Sequence, residues 1–166
     1  LRLRRRSKYI LIDLSSAETL LVHLGMSGRM LVSGDPLGQF AHEHPAAEKH
    51  DHVVLETSKG QVRFNDPRRF GFLDLIEGED GTNRFLSALG PEPLSDAVSA
   101  RYLQEAFKGR ASPIKANLLN QRLIAGLGNI YVCEALFDAA ILPTRKAGSL
   151  TKAENTRLCE AIKDVL

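Results

Sequence analysis

Arg122-Leu123-Ile124-Ala125-Gly126-Leu127-Gly128-Asn129-Ile130-Tyr131 joins two helix-forming segments through a turn whose shape only glycine tolerates well. Upstream, Ser112-Pro113-Ile114-Lys115-Ala116-Asn117-Leu118-Leu119-Asn120-Gln121 predicts a helix with Ser112 as N-cap and Pro113 at the first helical position. Downstream, Ile130 to Ala140 predicts a second helix. Gly126 and Gly128 allow positive φ at either position and leave backbone N–H groups, with the Asn129 amide, to meet an anion where the second helix begins. A phosphate diester fits such a site, and an ordinary helical hairpin closed by a glycine C-cap has the same pattern. The string is not a dinucleotide fingerprint. G-x-G-x-x-G needs a third glycine where Tyr131 stands and a strand ahead of it, and neither is present.

Around this hairpin, the chain of 166 residues with 43% hydrophobic side chains has enough apolar surface for a real core, in one domain or two small ones. The net charge of +2 conceals bunching: Arg2, Arg4, Arg5, Arg6 and Lys8 precede the first acid, Asp13. Arg101, Lys108, Arg110, Lys115 and Arg122 stand against Glu105 alone. Local field, more than net charge, attracts polyanions, although short charge runs also serve as plain solvated faces. Cys133 and Cys159 have no C-x-x-C spacing, which argues against a disulfide framework or a structural zinc site and for a reducing, cytoplasmic setting. No apolar run approaches the roughly 18 residues of a membrane span, so the expected partners are soluble.

The first half reads as an antiparallel sheet region. Strand patterns cover Lys8–Leu14, Thr19–Leu24, His52–Thr57, Gln61–Asn65 and Gly71–Ile76. A long polar loop from Gly34 to His50 interrupts them. Leu89-Gly90-Pro91-Glu92-Pro93-Leu94-Ser95 reads as a stiff linker, after which helical spacing takes over. Asp96–Lys108 is a helix, the hairpin follows, and Thr151-Lys152-Ala153-Glu154 is a capping box opening a last helix that runs through Leu166.

Asp66-Pro67-Arg68-Arg69-Phe70-Gly71 joins two strands and combines guanidinium groups with an aromatic ring able to stack. Such a tip suits a wedge pushed between DNA base steps, and it equally suits a turn whose Phe70 caps the core. Leu24-Gly25-Met26-Ser27-Gly28 offers a second tip, with Met26 as an unbranched apolar finger or as core filler. Lys8, unlike its arginine neighbours, can lose its proton when partly desolvated, which opens acid–base chemistry to it. His42, His44, His50 and His52 lack metal-binding spacing, and no metal is expected; His50, with Lys49, suits a phosphate contact.

Taken together, Arg6-Ser7-Lys8-Tyr9, His23-Leu24-Gly25-Met26-Ser27-Gly28, Lys49-His50-Asp51-His52, the Asp66–Gly71 and Leu89–Leu94 segments and Gly126-Leu127-Gly128-Asn129-Ile130-Tyr131 resemble the formamidopyrimidine-DNA glycosylases. The resemblance spans essentially the whole chain. It implies an α+β protein of two domains: a partial antiparallel β-sandwich over 1–88, a linker over 89–97, and a helix-two-turn-helix domain over 98–166. It also implies a base-excision-repair enzyme that removes oxidised purines from double-stranded DNA and then cleaves the abasic strand by elimination, working as a cytoplasmic monomer. By the same resemblance Lys8 does acid–base work in the elimination. His23, His50, Arg68, Arg110, Lys115 and Asn129 contact DNA, and Met26, Arg68 and Phe70 fill the gap left by a base that has been flipped out.

The resemblance also implies parts absent from these residues. The family nucleophile is the amine of an N-terminal proline followed by glutamate, whereas this chain begins Leu1-Arg2, and a zinc finger with four cysteines is expected in the full-length protein. The chain thus reads as an internal fragment, inactive alone and without a cofactor of its own. Two alternatives stand beside this reading: a non-catalytic module that binds damaged DNA, and an endonuclease VIII-type glycosylase for oxidised pyrimidines.

Overall fold

The computed structural model describes residues 2–34, 49–77 and 83–166. Two compact units emerge, one of Leu1–Arg4 with Tyr9–Glu77 and one of Arg5–Lys8 with Gly78–Leu166. The first is built from strands β1 (Arg2–Arg6), β2 (Tyr9–Asp13), β3 (Thr19–His23), β4 (Arg29–Gly34), β5 (Asp51–Thr57), β6 (Gly60–Asn65) and β7 (Phe72–Ile76). They form a four-stranded sheet in the order β1-β2-β3-β7 and a three-stranded sheet in the order β4-β6-β5. Leu11 and Leu21 face each other across β2 and β3, and both are fully buried. Burying such a side chain contributes about 1.5–3 kcal/mol, so a few of these pairs anchor the sheet register.

The antiparallel first half and helical second half agree with the α+β class expected from the sequence. Two strands, β1 and β4, were not anticipated. The arginines of β1 mask its alternation. At an end position in its sheet, β1 carries charge without cost, and Arg4 makes a two-pronged ion pair with Asp13, both contacts at 2.8 Å. That hydrogen-bonded guanidinium holds the Asp13 carboxyl down at about 2. Strand β4 follows directly from the Met26 turn, whose two glycines obscure where the strand begins. The expected Gly34–His50 loop, with His42 and His44, falls largely outside the described residues.

Among the described residues the second unit contains α1 (Ala100–Phe107), α2 (Ile114–Leu118), α3 (Asn129–Asp138), a 3-10 turn (Ala147–Ser149) and α4 (Lys152–Asp164). Its core gathers Leu103, Phe107, Ile114, Leu118, Leu127, Leu136, Leu158 and Ile162. Helix α1 starts later than its apolar spacing predicts, because Ser99 caps it by accepting from the Tyr102 N–H. Helix α2 corrects the expected capping. It is a five-residue helix preceded by Pro113, and Ser112 does not cap it, since the Asn117 amide donates to the Ser112 hydroxyl at 2.8 Å. The Ile114 N–H instead donates to the Arg145 carbonyl at 2.8 Å, so tertiary contact replaces the local cap. The Thr151–Glu154 capping box is present as predicted, with helix α4 ending at Asp164. Among the described residues no helix is long and apolar enough to cross a membrane.

Candidate nucleic-acid interface

In the first unit the two tips singled out in the sequence lie side by side. Gly25 takes φ +65°, and a Cβ there would stand 2.6 Å from the Gly71 nitrogen. A Cβ on Gly71 would in turn meet the His23 carbonyl at 2.6 Å, so only glycines allow these two backbones to touch. On this base Met26 is 73% and Phe70 57% exposed, far more than such side chains seek without a partner. The Arg68 guanidinium sits 4.7 Å from the centre of the Phe70 ring, a cation–π contact that aligns the two. The three residues therefore present an apolar finger, a ring and a planar donor fork from one surface.

Beneath them, Asp66 is fully buried. Its carboxylate accepts from the Ser27 hydroxyl at 2.5 Å and from the Gly71 N–H at 2.8 Å. These bonds, the Ser27 hydroxyl foremost, keep its carboxyl below the ordinary aspartate range against the opposing effect of burial. His52, placed by an irregularity in the β5–β6 register between Asp51 and Val53, donates from Nε2 to the Asp66 carbonyl at 2.8 Å. His23 lies between Tyr9 and Phe72, with ring centroids at 5.1 and 5.5 Å. The Gly25 N–H donates to its Nδ1 at 3.2 Å, which leaves the ring proton of a neutral imidazole on Nε2. His50 is half-buried beside an exposed Lys49.

In the second unit the glycine turn and the Lys8 hairpin meet. Lys8 Nζ donates to the Leu127 carbonyl at 3.0 Å. Partial burial of that amine pushes its pKa below the usual lysine value. Gln121, which the sequence reading passed over, binds the turn from the other side: its amide donates to the same Leu127 carbonyl at 2.8 Å and accepts from the Gly126 N–H at 2.8 Å. Gly126 takes φ +89°, and Gly128 precedes α3 with no side-chain cap, so the first turn of that helix presents backbone N–H groups beside an exposed Asn129. Glu92 fixes the hairpin by accepting from the Ser7 N–H and the Arg6 guanidinium, each at 2.7 Å. Burial raises the Glu92 pKa, but the Ser7, Arg6 and Arg5 donors outweigh it and the net direction is down.

Lys115 lies half-buried on α2. Arg110 is tied inward, donating to the Ala106 carbonyl at 2.6 Å and the Asn117 side chain at 3.3 Å. The expected site residues thus fall into two groups, Met26, Arg68, Phe70, His23 and His50 in the first unit and Lys8, Arg110, Lys115 and Asn129 in the second. Ser27, Asp66 and Glu92 were not singled out, because Ser27 and Asp66 meet across 39 residues and Glu92 meets Arg6 across 86, and Gln121 was not because it binds the nearby Gly126 and Leu127 backbone, which side-chain pattern alone does not reveal. No group of three or more potential metal ligands occurs among the described residues, and exposed Cys133 and buried Cys159 do not make a zinc centre.

Residues 89–166 match the family model of the formamidopyrimidine-DNA glycosylase H2TH domain, and residues 1–73 match that of the formamidopyrimidine-DNA glycosylase N-terminal domain. The chain belongs to the formamidopyrimidine-DNA glycosylase family. It is 62% identical over 167 residues to the formamidopyrimidine-DNA glycosylase of Roseobacter denitrificans, a match covering 99% of this chain and 59% of that protein. Identity to the glycosylase of Ruegeria pomeroyi is 59% over 167 residues, covering 99% of this chain and 59% of the relative. Among solved structures of the family, the MutM (Fpg) protein of Thermus thermophilus superposes with a TM-score of 0.85 at 38% identity, covering 99% of this chain and 57% of that one. The Lactococcus lactis enzyme, non-covalently bound to DNA containing an AP site, also gives 0.85 at 31% identity, covering 98% and 60%. The chain therefore spans about three-fifths of the length of the curated relatives it matches.

Proposed function

We propose that the natural full-length protein carrying this chain is a base-excision-repair DNA glycosylase. It removes oxidised purines, 8-oxoguanine and formamidopyrimidines among them, from double-stranded DNA and cleaves the resulting abasic strand by elimination. The observation that carries this reading is the exposed Met26–Arg68–Phe70 tip on its buried Asp66 support. Extruding a base leaves an unstacked step and an orphan partner. Met26 and Phe70 fill the step, and the Arg68 fork offers hydrogen bonds to the orphan base edge. His23, through Nε2–H, and His50, Arg110, Lys115 and Asn129 contact phosphates, with the N-terminus of α3 as an anion seat. Lys8, its amine held on the Leu127 carbonyl and easier to deprotonate than an ordinary lysine, moves a proton during elimination.

In this reading 1–88 belongs to the catalytic domain, 89–97 links it to the helix-two-turn-helix domain over 98–166, and the protein works as a monomer in the bacterial cytoplasm. Binding to intact duplex and to duplex holding a stable abasic analogue, at two salt concentrations, tests the wedge. Arg68→Ala is expected to lose about 1–3 kcal/mol on the gapped duplex and much less on the intact one, the scale of a good bidentate base contact. Lys115→Ala should weaken both alike and lower the salt slope. Equal losses for Arg68→Ala on both duplexes would reduce Arg68 to a phosphate clamp and refute the reading.

A further inference from the structure

We infer that Asp66 and Ser27 form a latch that makes the methionine turn and the arginine–phenylalanine turn a single rigid wedge, so that Met26 and Arg68 engage DNA together or not at all. The proposal rests on the wedge reading above and adds the positioning residues that operate it. Residues 24–28 and 66–71 come from different parts of the sheet region, and two exposed turns ordinarily move independently. Here one buried carboxylate serves both. One oxygen accepts from Ser27 Oγ at 2.5 Å, across 39 residues of sequence, and the other accepts from the Gly71 N–H at 2.8 Å. Ser27 Oγ then accepts from the Arg68 N–H at 3.3 Å, closing a ring that runs Asp66, Ser27, Arg68 and back along the chain.

Each donor in this ring has one partner geometry. The Ser27 hydroxyl has a single proton, and spending it on Asp66 fixes its lone pairs toward the Arg68 amide. The hydroxyl therefore transmits the position of the buried carboxylate to the backbone that carries the guanidinium. Around the ring, the Arg69 N–H donates to the Asp66 carbonyl at 3.3 Å, and Arg69 takes φ +58°, a conformation a non-glycine residue holds only where its surroundings impose it. The backbone contact of Gly25 with Gly71 leaves no slack through which one turn could shift without the other. Buried networks with every member satisfied hold one arrangement, which is what a wedge needs if apolar and polar elements are to enter a base step in register.

The test uses the natural full-length protein with Ser27→Ala, which removes the hydroxyl link, Ser27→Thr, which restores it, and Asp66→Asn, which cannot accept from both Ser27 and Gly71 as the carboxylate does. In the protein without DNA, amide hydrogen exchange reads the latch directly. Ser27→Ala and Asp66→Asn are each expected to speed exchange in both turns, and Ser27→Thr in neither. A response confined to the turn that carries the substitution overturns the latch. With duplex holding the stable abasic analogue, Met26→Ala and Arg68→Ala are combined with and without the Ser27 hydroxyl. With it, the double variant should lose little more than the worse single variant. Without it, the two losses should multiply, a change in coupling of at least about threefold. Coupling that is the same in both backgrounds also overturns the latch. If instead Arg68→Ala weakens intact and gapped duplexes equally, the wedge reading fails while the exchange measurement still decides whether the turns are latched.

Discussion

Replacing Gln121 with alanine should unfasten the glycine turn from the Lys8 hairpin, and the cost follows from the bonds it removes. The side chain makes two hydrogen bonds at 2.8 Å, one donated to the Leu127 carbonyl and one accepted from the Gly126 N–H, a third donated to the Leu119 carbonyl at 3.1 Å, and a fourth accepted from the Ser7 hydroxyl of the hairpin at 3.4 Å. A typical net contribution is about 0.5–1.5 kcal/mol per bond, and a buried donor left unsatisfied costs about 1–3 kcal/mol. The Gly126 turn is half-buried, so water recovers part of that penalty, and a total of about 2–4 kcal/mol is expected. Chemical denaturation of the 166-residue chain, followed by a probe in the helical unit, measures it. The second consequence is chemical. With the turn loosened, the Lys8 amine becomes better hydrated and its pKa rises toward the ordinary lysine value, so its labelling by an amine reagent should need a higher pH than in the wild type. A stability loss below about 0.5 kcal/mol, the level of an inert surface substitution, together with an unmoved labelling profile, would refute the assignment of Gln121 as the bridge.

Glu154 is held at about 2, first by the Thr151 N–H and then by Arg145; because its folded pKa lies below its unfolded one, its contribution is complete above about pH 4.5 and lost as pH falls toward 2. Glu154→Gln should therefore flatten the decline in melting temperature of the helical unit across that window, and an unchanged decline would show that the cap carries no pH-linked stability. Gly71→Ala should destabilise the sheet unit by about 1–3 kcal/mol, since its Cβ meets the His23 carbonyl at 2.6 Å and the Phe64 ring at 2.8 Å; a melting temperature within a degree of wild type would contradict that packing.

Much of the fold was legible because its signals are local. The Thr151–Glu154 box depends on residues three apart, and the helical spacing from Ser99 to Phe107 depends on a few turns of chain. What escaped was set by distant groups. Ser112 has the right chemistry for an N-cap, yet Asn117 takes its hydroxyl and the Arg145 carbonyl serves Ile114, so tertiary geometry outcompetes the local rule. β1 escaped because pattern reading treats arginine as a break in a strand, whereas an outer strand with a two-pronged Asp13 partner carries it readily.

The same contrast explains which functional residues could be found. Sequence reading selects side chains whose chemistry is unusual at an exposed turn, and Met26, Arg68, Phe70, Lys8 and Asn129 all stand out on that ground. Their poses, however, are fixed by polar groups beneath them, Asp66 buried and Gln121 half-buried. Asp66 holds Ser27 from 39 residues away, and Lys8 reaches a carbonyl 119 residues away that Gln121 also binds. Desolvating such a carboxylate or amide is favourable only when its bonds are satisfied together, so each tolerates one arrangement of its neighbours and imposes that arrangement on the exposed groups above. One polar support in each unit thus turns a set of ordinary side chains into a defined surface. For that reason Asp66→Asn and Gln121→Ala should alter recognition and chemistry although neither changes the identity of any exposed functional side chain.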